Sequence, residues 1–189
     1  MPDDRLFATA YVEEAFRSFR GYKRMADGTL AQVDDQAFFH LPHPESNSIA
    51  ILVKHISGNL RSRWTDFLTT DGEKPDRNRD QEFVLTPADT RDDLTRRWEA
   101  SFDTVFSTLK ALNPEDFDKT VYIRNQPHSL IQAINRSLNH VAGHISQIVF
   151  LGKLLRGGEW KTLSIPRGKS AEFNAMKPED RKVKSPTRG

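Results

Sequence analysis

Two histidines four residues apart, His140 and His144 in NHVAGHISQ, are the side chains best placed to do metal chemistry. They fall in a segment of helical periodicity, where positions i and i+4 share a face with Cβ atoms about 6 Å apart. A third, His55, lies in a second such segment, VKHISGNLRSRW. Three neutral imidazoles on two facing helices can hold one divalent ion and leave a coordination position open for water or substrate. The competing reading is that each is an ordinary hydrogen-bonded histidine. The pair also lacks the Glu of H-E-x-x-H, so it carries no metalloprotease base. Position favours the metal. His140 and His144 flank the apolar stripe Ile134, Leu138, Val141, Ile145, Ile148 and Val149, and His55 flanks Ile49, Leu52, Val53, Ile56, Leu60 and Phe67. Histidines at the borders of apolar faces meet where two helices pack. His40, His43 and His128 sit beside prolines in loops. Asn59 and Gln147 lie one turn beyond His55 and His144, and Arg136 one turn before His140. Each can face the ion as an orienting or substrate-binding group, or be a plain polar helix residue.

The elements that must carry these residues are four amphipathic helices. The spacing of Phe7, Tyr11, Ala15, Phe19, Tyr22 and Met25 predicts the first over residues 4–25. Residues 29–46 read as a connection whose Phe38 and Phe39 pack on the helices. Ser46 or Asn47 is expected to cap a second helix reaching about residue 68. Residues 69–88 are too rich in Gly, Pro and charge for a regular element. Thr90 and Asp93 form a capping-box pattern ahead of Leu94, Trp98, Phe102, Val105, Phe106 and Leu109. KTVYIR is a short extended piece. Ser129 and Gln132 make a second capping box, opening a helix that runs to about residue 155 and stops at Gly157–Gly158. Beyond 159 no helical period is visible before a turn near 178–182. The chain therefore reads as an all-α four-helix bundle over 1–158, with long connecting loops and a non-helical tail over 159–189. Trp160, Leu163 and Ile165 are expected to tie the start of the tail to the bundle, with Arg167 or Lys169 at hand for an anionic substrate. Residues beyond Met176 are expected to be mobile.

At 189 residues, the chain can bury a sizeable core. Its net charge of +2 marks neither a nucleic-acid binder nor a specialist for acidic substrates. The tail is the exception: residues 161–189 hold eight basic residues against three acidic ones. Only Trp160 and Phe173 interleave with those charges, which argues against nucleic acid. With no cysteine, thiolate ligands and thiolate nucleophiles are excluded. The N-terminus lacks the pattern of a secretory signal and no apolar run approaches the ~18 residues of a membrane span, so a cytoplasmic protein is expected.

With the histidines placed, the chain resembles the DinB/YfiT-like superfamily of bacterial four-helix-bundle metalloproteins. Members carry one metal-binding His on the second helix and an H-x-x-x-H pair on the fourth, matching His55, His140 and His144. The match covers about residues 4–156. SIAILVKHISGNLRSRW, AINRSLNHVAGHISQIVFLGK and the tail WKTLSIPRGKS resemble one uncharacterised subgroup. That subgroup has Gly-Gln-Ile after the last histidine, where this chain has Ser146–Gln147–Ile148. The resemblance implies an up-down-down-up bundle, one divalent ion, zinc or nickel, and a homodimer. The aromatic first and third helices (Phe7, Tyr11, Phe19, Trp98, Phe102, Phe106) are candidates for the dimer contact or for plain core. The activity it implies is metal-dependent thiol transfer or hydrolysis on a small molecule. A transferred thiol would be a low-molecular-weight cosubstrate, since the chain has none. The alternative is a non-catalytic bundle clamped by its ion and used for interaction.

Overall fold

The computed structural model describes residues 2–177, with side chains from residue 5 onward. The turn expected near 178–182, and all but Lys177 of the stretch beyond Met176 that is expected to be mobile, lie outside the described residues. Among these the protein is mostly helical: α1 (Pro2–Leu30), α2 (Asp35–Phe39), α3 (Ile49–Trp64), α4 (Arg91–Ala111), α5 (Leu130–Arg156) and α6 (Ser170–Ala175). A single hairpin pairs β1 (Thr120–Ile123) antiparallel with β2 (Gln126–Ser129).

The four long helices enclose one core. The first four residues of the expected α3 stripe, with Leu60, are fully buried, as are Trp64, Trp98, Phe19 and Phe102. Side-chain contacts give the helix directions. Lys54 pairs with Asp89 at 2.9 Å just ahead of α4, and Thr108 near its end donates to the Trp64 carbonyl, so α3 and α4 run alike. Tyr11 bonds Asn135, and Thr29 abuts Gly152, so α1 and α5 also run alike. Phe16 meets Phe106 while Asp27 accepts from Trp98, so α1 opposes α4. His55 meets His140 and Trp64 donates to Ser137, so α3 opposes α5.

Because α3 and α4 point the same way, the chain between them must return along the length of α3. It does so in steps: Gly72 at Ser62, Asp76 at Arg61, Glu82 at His55 and Val84 at Lys54. Residues 80–83, expected to be irregular, form a 3-10 turn pressed onto α3.

Several boundaries differ from expectation for local reasons. α1 continues past residue 25 to Leu30, fully burying Ala26 and Thr29, and Gly28 within that last stretch is a notch filled by Leu163, whose Cδ2 would stand 2.7 Å from an added Cβ. The cap of α3 is Ser48, whose hydroxyl accepts from the Ile51 amide, in place of Ser46 or Asn47. α3 stops at Trp64 because Asp66 turns left-handed, with φ of 47°, yet Phe67 still reaches the core. Thr90 caps α4, but Asp93 turns to Arg96 and Arg97 and does not close a box. The Ser129–Gln132 box on α5 is closed in both directions. Residues 29–46 hold a short helix, α2, capped by Asp34, with Phe38 buried against Phe39.

The tail is not wholly non-helical, since it includes α6. Its first residues are tied to the helices. The Lys161 backbone exchanges two hydrogen bonds with the Gln32 side chain, and Leu163 fills the notch at Gly28. Ile165 is 37% exposed and does not join them. Of the six aromatics read as dimer contact or plain core, Phe19, Trp98 and Phe102 are core, while Phe7 is exposed. Among the described residues, no helix is long and apolar enough to cross a membrane.

Candidate metal centre

The antiparallel crossing of α3 and α5 brings His55, His140 and His144 together. One ring nitrogen from each lies within 4.8 Å of the others, a group that could hold a metal ion. The Nε2 atoms of His55 and His140 are 3.1 Å apart. Two ligands about 2.1 Å from one tetrahedral ion stand about 3.4 Å apart, so the spacing suits a shared ion. The donor set suits it too. His55 is buried, and its Nδ1 lies 2.8 Å from the Glu82 carboxylate. A proton on Nδ1 donated to Glu82 leaves the Nε2 lone pair facing the other two histidines. This carboxylate–imidazole pairing is how proteins fix a ligand's tautomer and raise its basicity. His144 is oriented from the other side by Gln147, whose Oε1 is 3.4 Å from Nδ1. His140 Nδ1 is buried without a partner among the described residues.

Glu82 is itself held. Arg77, almost fully buried, donates to both of its oxygens at 2.8 and 2.9 Å. Burial would raise the Glu82 pKa, but bonds from His55 and Arg77 bring it below the usual carboxylate value. The carboxylate reaches His55 only because residue 58 is glycine. A Cβ there would stand 2.8 Å from Glu82 Cδ and closer still to Oε1. Gly→Ala in a helix interior ordinarily stabilises by up to about 1 kcal/mol. Here we expect the opposite sign: Gly58→Ala lowers Tm and weakens metal binding, because it displaces Glu82. A G58A protein more stable than wild type with unchanged metal affinity would contradict this packing.

Burial drives the His140 pKa down to about 3, aided by the charges of His144, His55, Arg77 and Arg63. Burial and His55 also lower His144. Both folded values lie below the unfolded value of about 6.5. The unfolded chain therefore binds protons that the metal-free folded protein refuses. The stability so contributed is complete above about pH 6.5 and is lost as pH falls from there toward 3. Thermal melts of metal-free protein between about pH 7.5 and 4.5 check this, since His140→Gln flattens the acid limb. Parallel limbs for the two proteins would contradict it.

The group faces a cleft of about 510 Å³ between α3, α5, the 3-10 turn and the hairpin. Asn59, Phe83, Ile123, Ala133 and Ser137 line it with five arginines, Arg63, Arg77, Arg79, Arg124 and Arg136, and none of its lining residues is acidic. Arg124 enters from the hairpin loop, where it and Asn125 both have positive φ, the two-residue turn that matches strand twist. Asp71 stabilises that turn by accepting from both amides, at 2.8 and 2.7 Å.

Of the residues singled out in the sequence, Asn59 and Arg136 line the cleft and Gln147 contacts His144 from outside it. Arg167 and Lys169 of the tail do not line it; arginines of the return segment and hairpin take that place. Glu82, Arg77, Arg79 and Arg124 went unrecognised because they lie in segments with no period to read. The available signal was chemical: a ligand histidine requires a partner on its second nitrogen.

No curated protein and no solved structure matches the chain. One family model does, over residues 6–169, described as "Protein of unknown function (DUF1572)". That match takes in both histidine-bearing helices, the return segment with Glu82, and the hairpin, and the chain belongs to this family.

Proposed function

We propose that this protein is a metal-dependent enzyme of the DinB/YfiT-like superfamily, with an up-down-down-up bundle whose His55, His140 and His144 hold one zinc or nickel ion. The paired helix directions and the three-histidine group support that placement. The observation that carries the reading is the convergence of three imidazoles on an open cleft, with Glu82 behind one of them. When bound, the ion supplies Lewis acidity that brings a coordinated water or thiol toward a pKa of about 7. The chain's own residues do the rest. Glu82 and Gln147 orient the imidazoles, Phe83 and Ile123 exclude water from one wall, and Asn59 offers an amide to a bound molecule. No carboxylate lines the cleft, so no Asp or Glu is positioned as a base. A coordinated thiol or water would then lose its proton to solvent, so both thiol transfer and hydrolysis are open to the centre and the substrate screen separates them.

The test is elemental analysis of purified protein, then a screen of small thiols against 1-chloro-2,4-dinitrobenzene, with 4-nitrophenyl acetate for hydrolysis. Metal-dependent turnover that His140→Ala abolishes supports the enzyme. Bound metal without turnover of either substrate favours the alternative, a non-catalytic module clamped by its ion. The same reading includes a homodimer, for which light scattering at twice the monomer mass is expected; a monomer at every accessible concentration removes that part.

A further inference from the structure

We infer that the cleft takes a small molecule bearing an oxyanion, a carboxylate or a phosphate, held by Arg136 and Arg79 while another of its groups reaches the histidine centre. The inference rests on the metal-centre reading for that second contact but not for the first.

Three of the five cleft arginines are already neutralised. Arg77 is bound to Glu82, and Arg63 lies 3.1 Å from Glu73 while donating to the Gly72 carbonyl. Arg124 gives its Nε to Glu73 at 3.0 Å. These three serve architecture. Arg136 differs: it makes no hydrogen bond or ion pair with any described residue. Nothing holds it structurally, yet it lies one turn before His140 and lines the cleft. Arg79 is nearly as free. Its one acidic contact is Asp80 at 3.6 Å, an almost fully exposed side chain, and its guanidinium lies over the Phe83 ring, 5.0 Å from the centroid. Stacking holds the fork in place while leaving its N–H groups for a ligand.

The opposing acids are accounted for. Glu82 and Glu73 are spent on the three structural arginines, and Asp71 on the backbone amides of Glu73, Arg124 and Asn125. The cleft therefore presents unspent cationic donors and no lining carboxylate. A planar guanidinium fork matches the geometry of a carboxylate or phosphate, and charge-assisted bonds of this kind are the strong ones. In a chain whose net charge is only +2, the described residues lining this cleft include five arginines and no acid, and two of those arginines are not spent on a buried carboxylate.

Two measurements test this separately from the metal. The first needs no ion: thermal shift of metal-free protein in inorganic phosphate against chloride at matched ionic strength. Phosphate raises the Tm of wild type, and the double variant Arg79→Gln, Arg136→Gln loses that rise; equal phosphate response in both overturns the inference. The second uses cobalt(II)-loaded protein, titrated with 3-mercaptopropionate, 2-mercaptoethanol and cysteamine while the visible spectrum is followed. The anionic thiol binds about tenfold more tightly than the cationic one, as one charge-assisted contact implies, and the double variant erases the preference. Thiol binding without charge preference, or no binding by the anionic thiol, overturns the inference. Failure of wild type to bind cobalt overturns the metal reading and leaves the phosphate result to decide the oxyanion.

Discussion

Replacing His140 with alanine removes the bound divalent ion. Wild type is expected to carry about one ion per chain, and H55A, H140A and H144A each to carry less than a tenth of that after dialysis, because losing one of three protein ligands leaves too few. His128→Ala, on the exposed hairpin, is the control and retains full occupancy. Stability follows occupancy. A ligand at a thousandfold excess over its Kd contributes about 4 kcal/mol. For a chain of this size that is a Tm shift of about 10 °C, lost on chelation at pH 8. Three variants that retain stoichiometric metal, or a Tm indifferent to chelator, would show that the group is only a packed cluster of imidazoles.

The second large effect comes from Glu82, which has two duties that substitution can separate. Glu82→Ala leaves Arg77, with a side chain 2% exposed, with only the longer 3.4 Å contact to Glu73. Removing one partner of a buried ion pair costs about 3–5 kcal/mol. It also frees the His55 tautomer, and losing such a partner weakens metal binding about 10–100-fold. Glu82→Gln keeps an acceptor for the His55 N–H but cannot neutralise Arg77. It should lose most of the stability while keeping more of the metal affinity than the alanine variant. Denaturant unfolding of metal-free protein, and competition with a chromophoric chelator, read the two effects independently. An E82A protein as stable as wild type would mean that Glu73 alone satisfies Arg77, and Glu82 would then not couple stability to the metal centre.

How much of this was legible in the sequence depended on periodicity. The three histidines were found because each sits at a known phase of an apolar stripe, and two stripes that must pack bring their borders together. Ser129 with Gln132 was legible because a capping box is written in adjacent residues and closes locally. Ser48 was not separable from Ser46 and Asn47, since all three can cap and only the backbone path chooses. Glu82 was invisible for a deeper reason. Its place opposite His55 follows from the parallel run of α3 and α4, which forces residues 65–90 back along α3. No local pattern encodes that register. Gly58 was the complementary mark on the helix, a missing side chain where the carboxylate enters, and it has meaning only once the partner is known. The charge of the cleft was likewise hidden, because the arginines are scattered from position 63 to 136 and a net count averages them away.

The most direct test is X-ray absorption at the zinc edge on protein loaded with one equivalent of zinc. Three imidazole nitrogens at about 2.0–2.1 Å with at least one further oxygen from water or added ligand is the predicted shell. That shell should collapse to fewer imidazoles in H140A. A shell filled by four protein ligands, or one with fewer than three imidazoles in wild type, would contradict the open three-histidine centre on which the proposed function rests.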